Sequence, residues 1–204
     1  GELCRAVQHA HDRGIVHRDL KPANVLVVEV DGRPRPKVID FGIAKVLQGR
    51  GETRSFATET GRVVGTPGYM SPEQQQGASD AVDARADVFS LGVMLYELLC
   101  GQLPWTVGAK ATDTDPERPS TRVSTSTASA TAVARDRSTQ PRRLASRLRG
   151  DLDWIVLKCL HRERERRYPS VQELIEDLER HRRAEPVHAL PPSTSYRLRK
   201  LVRR

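Results

Sequence analysis

Three short motifs in this chain bring together side chains that could work on a phosphate group. Residues 17–24 read HRDLKPAN, residues 40–42 read DFG, and residues 65–73 read GTPGYMSPE. A lone aspartate, asparagine or lysine in a loop is usually a cap or a solvated charge. Phosphoryl transfer, however, needs a group that orients the attacking hydroxyl, oxygen ligands that hold a metal ion and cations that hold phosphate, with little covalent work by the protein. The three motifs together, in this order, therefore favour phosphoryl transfer.

At these motifs the chain resembles the protein kinases, and specifically the eukaryotic-like (Hanks-type) serine/threonine protein kinases of bacteria. The resemblance implies that Asp19 accepts the proton of the attacking hydroxyl and that Lys21 stabilises charge on the transferred phosphate. It also implies ATP and Mg²⁺ as cofactors, with Lys21, Asn24 and Asp40 at the cofactor site and the last two as Mg²⁺ ligands. Thr66 is expected to contact Asp19 and Lys21 and to favour hydroxyl substrates.

The resemblance further predicts a regulatory loop, the activation segment over residues 40–73. Arg18, next to the catalytic aspartate, is expected to bind a phosphate on this segment, because guanidinium and phosphate form bidentate charge-assisted bonds. The candidate phosphoacceptors are Ser55, Thr58 and Thr60. Phosphate on one of them is predicted to order the loop against Arg18.

The remaining matched positions are predicted to be structural. Glu73 ends the activation segment and is expected to pair with a buried arginine late in the domain, Arg167. Asp87, at the start of the central helix, is expected to hold backbone amides of the catalytic loop. Three further residues are predicted to support the loop itself: His17, Phe41 and Gly42.

The elements that must position these motifs are mainly helical. Periodicity predicts helices over residues 2–13, 86–100, 151–160 and 170–180. Two β-branched runs, 25–30 and 37–39, lie around Asp31-Gly32-Arg33 and predict a hairpin with its proline-containing side at an edge. The glycine-rich stretch 42–68 has no sustained period and is predicted to be a long functional loop.

The resemblance implies an α+β protein-kinase-like fold of which this chain holds only the mainly α-helical C-terminal lobe, a short β-hairpin and the activation segment. A kinase also needs a glycine-rich strand–turn–strand and a strand lysine paired with a helix glutamate. Neither occurs in residues 1–204. We therefore expect the N-terminal β lobe to be missing, the chain to be processed or cut from something longer, and the fragment to be inactive alone.

The domain organisation follows from the composition. Residues 1–185 are assigned to the C-terminal lobe. Within it, residues 106–143 are rich in Ser, Thr, Ala and Arg and poor in large apolar residues, which predicts a mobile insert. A helix that helps to dock substrates in the family is expected to be shortened or lost there. Residues 186–204 are predicted to be a basic, juxtamembrane-like tail leaving the domain.

The overall composition excludes several classes of protein. With 204 residues, of which 37% are hydrophobic, the chain can bury one core and is not a disordered tail. No apolar run reaches the roughly 18–20 residues that a membrane-spanning helix needs. The three cysteines form no C-x-x-C pair, which argues against a zinc knuckle or a disulfide framework and favours a reducing, cytoplasmic location.

The net charge of +8 is carried by the C-terminal third. Residues 1–134 hold 15 Lys/Arg against 16 Asp/Glu, and residues 135–204 hold 19 against 10, so the two parts carry −1 and +9. The tail, 196–204, lacks the aromatic interleaving of a nucleic-acid binder, so no nucleic acid is expected. Two interpretations stay open: a solvated basic tail, or a segment before a membrane anchor, at the cytoplasmic face of the membrane.

The sequence thus predicts a serine/threonine protein kinase that transfers the γ-phosphate of ATP to Ser/Thr hydroxyls of proteins in signalling. The expected partners are protein substrates, the missing N-terminal lobe and, for autophosphorylation, a second copy in a homodimer. The alternative is a degenerate kinase-like scaffold that binds protein partners without catalysis. The intact set of Asp19, Lys21, Asn24 and Asp40 favours the enzyme, because a scaffold needs none of them.

Overall fold

The computed structural model describes residues 1–41, 67–77, 82–105, 114–125 and 128–190. Within these residues the fold is mainly helical with one two-stranded sheet, as the sequence predicts. The helices are α1 Glu2–His11, α2 Pro72–Gln75, α3 Ala84–Cys100, α4 Pro119–Ser124, α5 Ala128–Asp136, α6 Pro141–Leu148, α7 Asp151–Cys159 and α8 Val171–Arg182. Short 3₁₀ turns cover Pro22–Asn24, Pro67–Tyr69 and Arg164–Arg166.

The predicted hairpin is present. Strand β1 is Val25–Val30 and strand β2 is Arg33–Val38, antiparallel. Asp31 and Gly32 form the two-residue turn with φ of 52° and 69°, the left-handed pair that a type I′ turn requires. The second strand is longer than the predicted 37–39, because so short a turn lets pairing begin at Arg33. The prolines of β2 are tolerated because, among the described residues, neither strand has a second neighbour in the sheet.

Helix α3 is the centre of the core, and buried side chains contact it from α1, α7 and α8 on one side and from α4 to α6 on the other. Asp83 caps its N-terminus by accepting a bond from the backbone N–H of Arg85, and Gly101 ends it in the left-handed conformation. The helix carries Gly92 where α7 crosses, and a side chain there would meet the Cβ of Cys159. The missing side chain lets the two helices pack at short range.

Residues 106–143, for which composition predicts a mobile insert, contain helices in the part that the structure describes. Helices α4 and α5 and the start of α6 lie there, and Val123, Ala130 and Ala134 are buried against the C-terminal half of α3. Small side chains make this stretch look poor in core residues, but they let helices approach closely and so bury backbone and Cβ surface. The number of large apolar residues alone misses this kind of packing.

Polar contacts also fix this region. Ser120, in the first turn of α4, donates through its backbone N–H and its hydroxyl to the two carboxylate oxygens of Asp153, at 2.9 and 2.7 Å. Asp153 lies in the first turn of α7 and is buried. The same carboxylate therefore ties two helices together through charge-assisted bonds, which are stronger than neutral ones.

The residues that directly follow α8 pack on the domain. Ser170 caps α8 by accepting a bond from the backbone N–H of Glu173. Beyond the helix, Val187 is buried, and the N–H groups of His188 and Ala189 donate to Asp177 at 2.6 and 2.8 Å. The first residues of the predicted tail therefore pack on the domain. No helix in the described ranges is both long and apolar enough to cross a bilayer.

Candidate active site

The loop between α1 and β1 brings three of the predicted catalytic residues together. The Nζ of Lys21 donates to Oδ2 of Asp19 at 2.9 Å. The 3₁₀ turn Pro22–Asn24 curls the chain back, so that Nδ2 of Asn24 donates to the backbone oxygen of Asp19 at 2.9 Å and to its Oδ2 at 3.2 Å. Asp19 is thus oriented by a cation and an amide from the next five residues.

The hairpin brings the second predicted metal ligand to the same place. The backbone N–H of Ile39 donates to the backbone oxygen of Asn24 at 3.0 Å, which joins the residue before β1 to the residue after β2. Asp40 follows directly and is exposed, with a left-handed φ of 55°. Asn24 uses its amide nitrogen on Asp19, so its amide oxygen is the donor atom suited to a cation.

This pair fits Mg²⁺ in its chemistry. One carboxylate and one amide oxygen are the ligand types that this ion takes, usually one or two of them completed by substrate phosphates. No group of three or more His, Cys, Asp or Glu side chains with metal-binding spacing occurs in the described residues. Asn24 and Asp40 are thus the residues that could hold such an ion together with substrate phosphates.

The buried side chain of His17 supports the catalytic loop. Its side chain is buried, and Nε2 lies 3.0 Å from the backbone oxygen of Ile39 while Nδ1 lies 3.3 Å from the backbone N–H of Asp19. A carbonyl can only accept and an N–H can only donate, so these contacts select the neutral ring with hydrogen on Nε2. The ring also contacts that of Phe41, with centroids 4.7 Å apart. His17 therefore connects the catalytic loop to the residues after β2.

Asp87, buried in the first turn of α3, holds the loop backbone. Its Oδ2 accepts from the N–H of His17 at 2.7 Å and its Oδ1 from the N–H of Arg18 at 2.8 Å. Arg18 has a φ of 66°, the left-handed region that a side chain disfavours. The carboxylate therefore holds in place a backbone conformation that costs free energy on its own.

His11, at the end of α1, belongs to this arrangement and was not predicted. Its Nε2 donates to Oδ2 of Asp87 at 2.8 Å, and its side chain is only 6% exposed. Nδ1 of the ring is buried with no hydrogen-bond partner among the described residues. The helical pattern of residues 2–13 indicates which positions face the core, but one histidine on such a face carries no sign of its distant partner.

Glu73 and Arg167 form the buried ion pair that the resemblance implies. Nη1 and Nη2 of Arg167 donate to Oε1 and Oε2 of Glu73 at 2.7 and 2.8 Å. The guanidinium lies over the ring of Phe89, 4.9 Å from its centroid. Its remaining donors bind backbone oxygens of His161, Arg85 and Arg162. Burial raises the pKa of Glu73, but the bonds to Arg167 and its charge outweigh burial and hold that pKa below the usual range.

The residues of the predicted regulatory loop lie mostly outside the described residues. This applies to Ser55, Thr58, Thr60, Thr66 and Gly42. Arg18 is the residue that is expected to bind a phosphate on this loop. Its Nη2 donates to the backbone oxygen of Val82 at 3.4 Å. The backbone oxygen of Arg18 accepts from Nε2 of Gln74 at 2.6 Å, so α2 is tied directly to the catalytic loop. Gln74 was not predicted, since its contact depends on how α2 docks.

Comparison with known proteins gives a consistent result. A family model described as "Protein kinase domain" matches residues 1–178. The serine/threonine-protein kinase PknB of Mycobacterium tuberculosis is 37% identical over 194 residues, which cover 92% of this chain and 26% of PknB. Pkn1 of Myxococcus xanthus is 50% identical over 105 residues, covering 51% of this chain and 14% of Pkn1.

The fold is similar to that of solved kinase domains. The crystal structure of the PknI kinase domain of Mycobacterium tuberculosis superposes with a TM-score of 0.52 at 24% identity, covering 88% of this chain and 52% of that one. At this identity the likeness concerns the fold alone, and the chain spans about half of that domain. With the family model matching most of its length, the chain belongs to the protein kinase family, in its bacterial Hanks-type serine/threonine branch.

Proposed function

We propose that the protein containing this chain transfers the γ-phosphate of ATP to serine or threonine hydroxyls of other proteins, with Mg²⁺, as part of a signalling pathway. The observation that carries the proposal is that Lys21 and Asn24 both donate hydrogen bonds to Oδ2 of Asp19. The similarity to bacterial serine/threonine-protein kinases supports it. Because the chain spans only 26% of PknB, the activity is proposed for the whole protein.

Each residue has a distinct task in this reaction. ATP supplies the phosphoryl group, and Mg²⁺ neutralises charge on its phosphates. Asp19 orients the substrate hydroxyl and accepts its proton as the hydroxyl oxygen bonds to the γ-phosphorus, while the bond from that phosphorus to the β–γ bridging oxygen breaks and ADP leaves. The Nζ of Lys21, 2.9 Å from that carboxylate, lies close enough to stabilise the negative charge on the transferred group. Asn24 and Asp40 would hold the metal.

Strand β1 supports the proposal that a further lobe covers the hairpin. Leu26 and Val30, which lie on the same face of the strand, are 47% and 40% exposed, although both are large apolar residues. An exposed apolar patch on a sheet usually marks a surface that another part of a protein covers. We propose that a nucleotide-binding lobe lies on this face in the whole protein, so that the 204-residue chain alone binds ATP weakly.

The test is Asp19→Asn in the full-length protein, assayed for phosphate transfer to a generic protein substrate. The variant keeps the size of the side chain and an oxygen that can accept from Lys21 and Asn24, but it removes the proton acceptor. We expect phosphorylation to fall by a factor of about 10³ or more, with an unchanged melting temperature. A scaffold would show no activity in either protein, and wild-type-like activity in the variant would refute the role of Asp19.

A further inference from the structure

Helix α6 turns one face to solvent, and that face is strongly basic. Arg142, Arg143 and Arg147 are exposed on the helix, and Arg149 is exposed directly after it. We call these four residues the arginine face. The opposite side of the helix is apolar and buried: Leu144, Ala145 and Leu148. The basic face is therefore held at the surface by the packing of α6 on the core.

Several exposed arginines on other elements have a carboxylate nearby. Arg5 and Arg183 lie 2.8 and 3.6 Å from oxygens of Glu179, and Arg166 lies 2.7 Å from Glu163. Within the described ranges, no arginine of the arginine face has a carboxylate oxygen within 4.0 Å. Their charge is therefore not balanced by the described part of the chain.

The local sequence adds to this excess. Residues 135–149 contain six arginines and a single acidic residue, Asp136. Like charges at this density repel one another and create a positive potential that attracts anions. A bound group with several negative charges would relieve the repulsion and would gain from all of these side chains at once.

The shape and composition of the face favour one class of ligand. Eight helical residues make a stripe of about 12 Å, which matches about four residues of an extended peptide at roughly 3.3 Å each. Guanidinium groups bind carboxylates in a bidentate manner. The face has no aromatic side chain on which a nucleobase could stack, and the apolar side of α6 is buried rather than available to insert into a membrane.

We propose that the arginine face is a docking site for an acidic segment of a partner protein. Arg142, Arg143 and Arg147 would pair with carboxylates on alternate residues of an extended strand that crosses α6. The inference goes beyond phosphate transfer and does not depend on it, because docking is measured by binding. A protein without kinase activity could still bind an acidic segment here.

The experiment measures binding of a fluorescent peptide that alternates glutamate with serine to the full-length protein. We expect binding that weakens as salt is raised, and weakens by about tenfold in a triple variant with Arg142→Gln, Arg143→Gln and Arg147→Gln. The matched control removes the same charge from exposed arginines that already have carboxylate partners: Arg5→Gln, Arg166→Gln and Arg183→Gln. This control should bind within about twofold of wild type.

Three results would overturn the proposal. The first is equal binding of a peptide with glutamine in place of glutamate, and the second is equal weakening by the two triple variants. The third is that phosphatidylserine vesicles or duplex DNA bind more tightly than the peptide and lose that binding in the α6 variant. Melting temperatures establish whether each variant is folded. If the triple variant is not folded, binding of the peptide to the single variant Arg147→Glu is measured instead.

Discussion

The Nε2 atom of His11 donates a hydrogen bond to Oδ2 of Asp87 across 2.8 Å, and that oxygen also accepts the backbone N–H of His17. Helix α1 is thereby joined to the catalytic loop through a carboxylate on α3. The other oxygen of Asp87 holds the N–H of Arg18, whose backbone is left-handed. Through Asp87, His11 acts on the backbone that positions Asp19 without touching Asp19 itself.

Replacing His11 with phenylalanine should therefore loosen the loop. Loss of a hydrogen bond to a buried carboxylate costs about 1.5–3 kcal/mol of unfolding free energy. We expect faster hydrogen exchange of the His17 and Arg18 amides, while His11→Gln, which can still donate to Asp87, should restore part of their protection. His9→Phe, at an exposed position on the same helix, serves as the control. Unchanged exchange at both amides in His11→Phe would contradict this role.

The ion pair between Glu73 and Arg167 should contribute more than a surface pair. Replacing Arg167 with methionine leaves Glu73 buried without its cation, which costs about 3–5 kcal/mol of unfolding free energy. Arg166→Met, which removes the exposed pair with Glu163, should cost at most about 1 kcal/mol. Chemical denaturation of the two variants measures both values. Equal costs would show that burial of the pair has no energetic consequence.

The same ion pair predicts that the free energy of unfolding depends on pH. The pKa of Glu73 is lower in the folded protein than its ordinary value, so the unfolded chain takes up the proton first as the pH falls. The stabilisation is complete above the ordinary glutamate pKa of about 4.3 and is lost as the pH falls through the lower, folded value. The difference in unfolding free energy between wild type and Glu73→Gln should therefore shrink below about pH 4. A difference that grows with acidity would contradict the assignment.

Much of the fold and of the candidate active site can be predicted from local sequence, and the rest cannot. The Asp31-Gly32 turn, the buried helix α3 and the Ser170 cap are set by residues next to one another, so short patterns predict them. The Glu73–Arg167 pair was predicted only through the resemblance, because 94 positions separate its members. The contact between His11 and Asp87 spans 76 positions and has no local pattern, which is why it was missed.

The region of α4 to α6 shows a second limit of prediction from sequence. Its alanines contribute little to a count of large apolar residues, yet Ala130 and Ala134 are buried where α5 packs near the end of α3. Whether a small residue lies in the core depends on how closely two helices approach. That distance is a property of the tertiary structure, so composition alone does not reveal it.

Close helix packing at Gly92 gives a further prediction. A methyl group at this position would overlap the Cβ of Cys159 and lie 3.2 Å from Cδ2 of Leu160. Alanine improves helix propensity by about 1 kcal/mol, but overpacking of a tight core costs about 1–3 kcal/mol. We expect Gly92→Ala to lower the melting temperature by several degrees. Leu98→Ala, at a position 68% exposed on the same helix, should leave it nearly unchanged, and a stabilised Gly92→Ala protein would disprove the close approach.

The segment after α8 should be released by changing one side chain. Asp177 accepts from the hydroxyl of Tyr168 at 2.7 Å and from the backbone N–H groups of His188 and Ala189. Asp177→Asn places an amide that donates where one oxygen accepted, so at least one buried donor loses its partner at a cost of about 1–3 kcal/mol. We expect limited proteolysis to cut near Val187 faster in this variant than in wild type.

Tyr168→Phe provides the comparison that separates anchoring of the segment from general instability. It removes one of the three bonds to Asp177 and leaves both backbone contacts of His188 and Ala189 in place. It should lower the unfolding free energy by about 1 kcal/mol without exposing the segment. If both variants are cut at the same rate under conditions where both are folded, then Asp177 does not hold the segment, and other contacts, such as burial of Val187 and the bond from Arg180 to the backbone oxygen of Pro186, must do so.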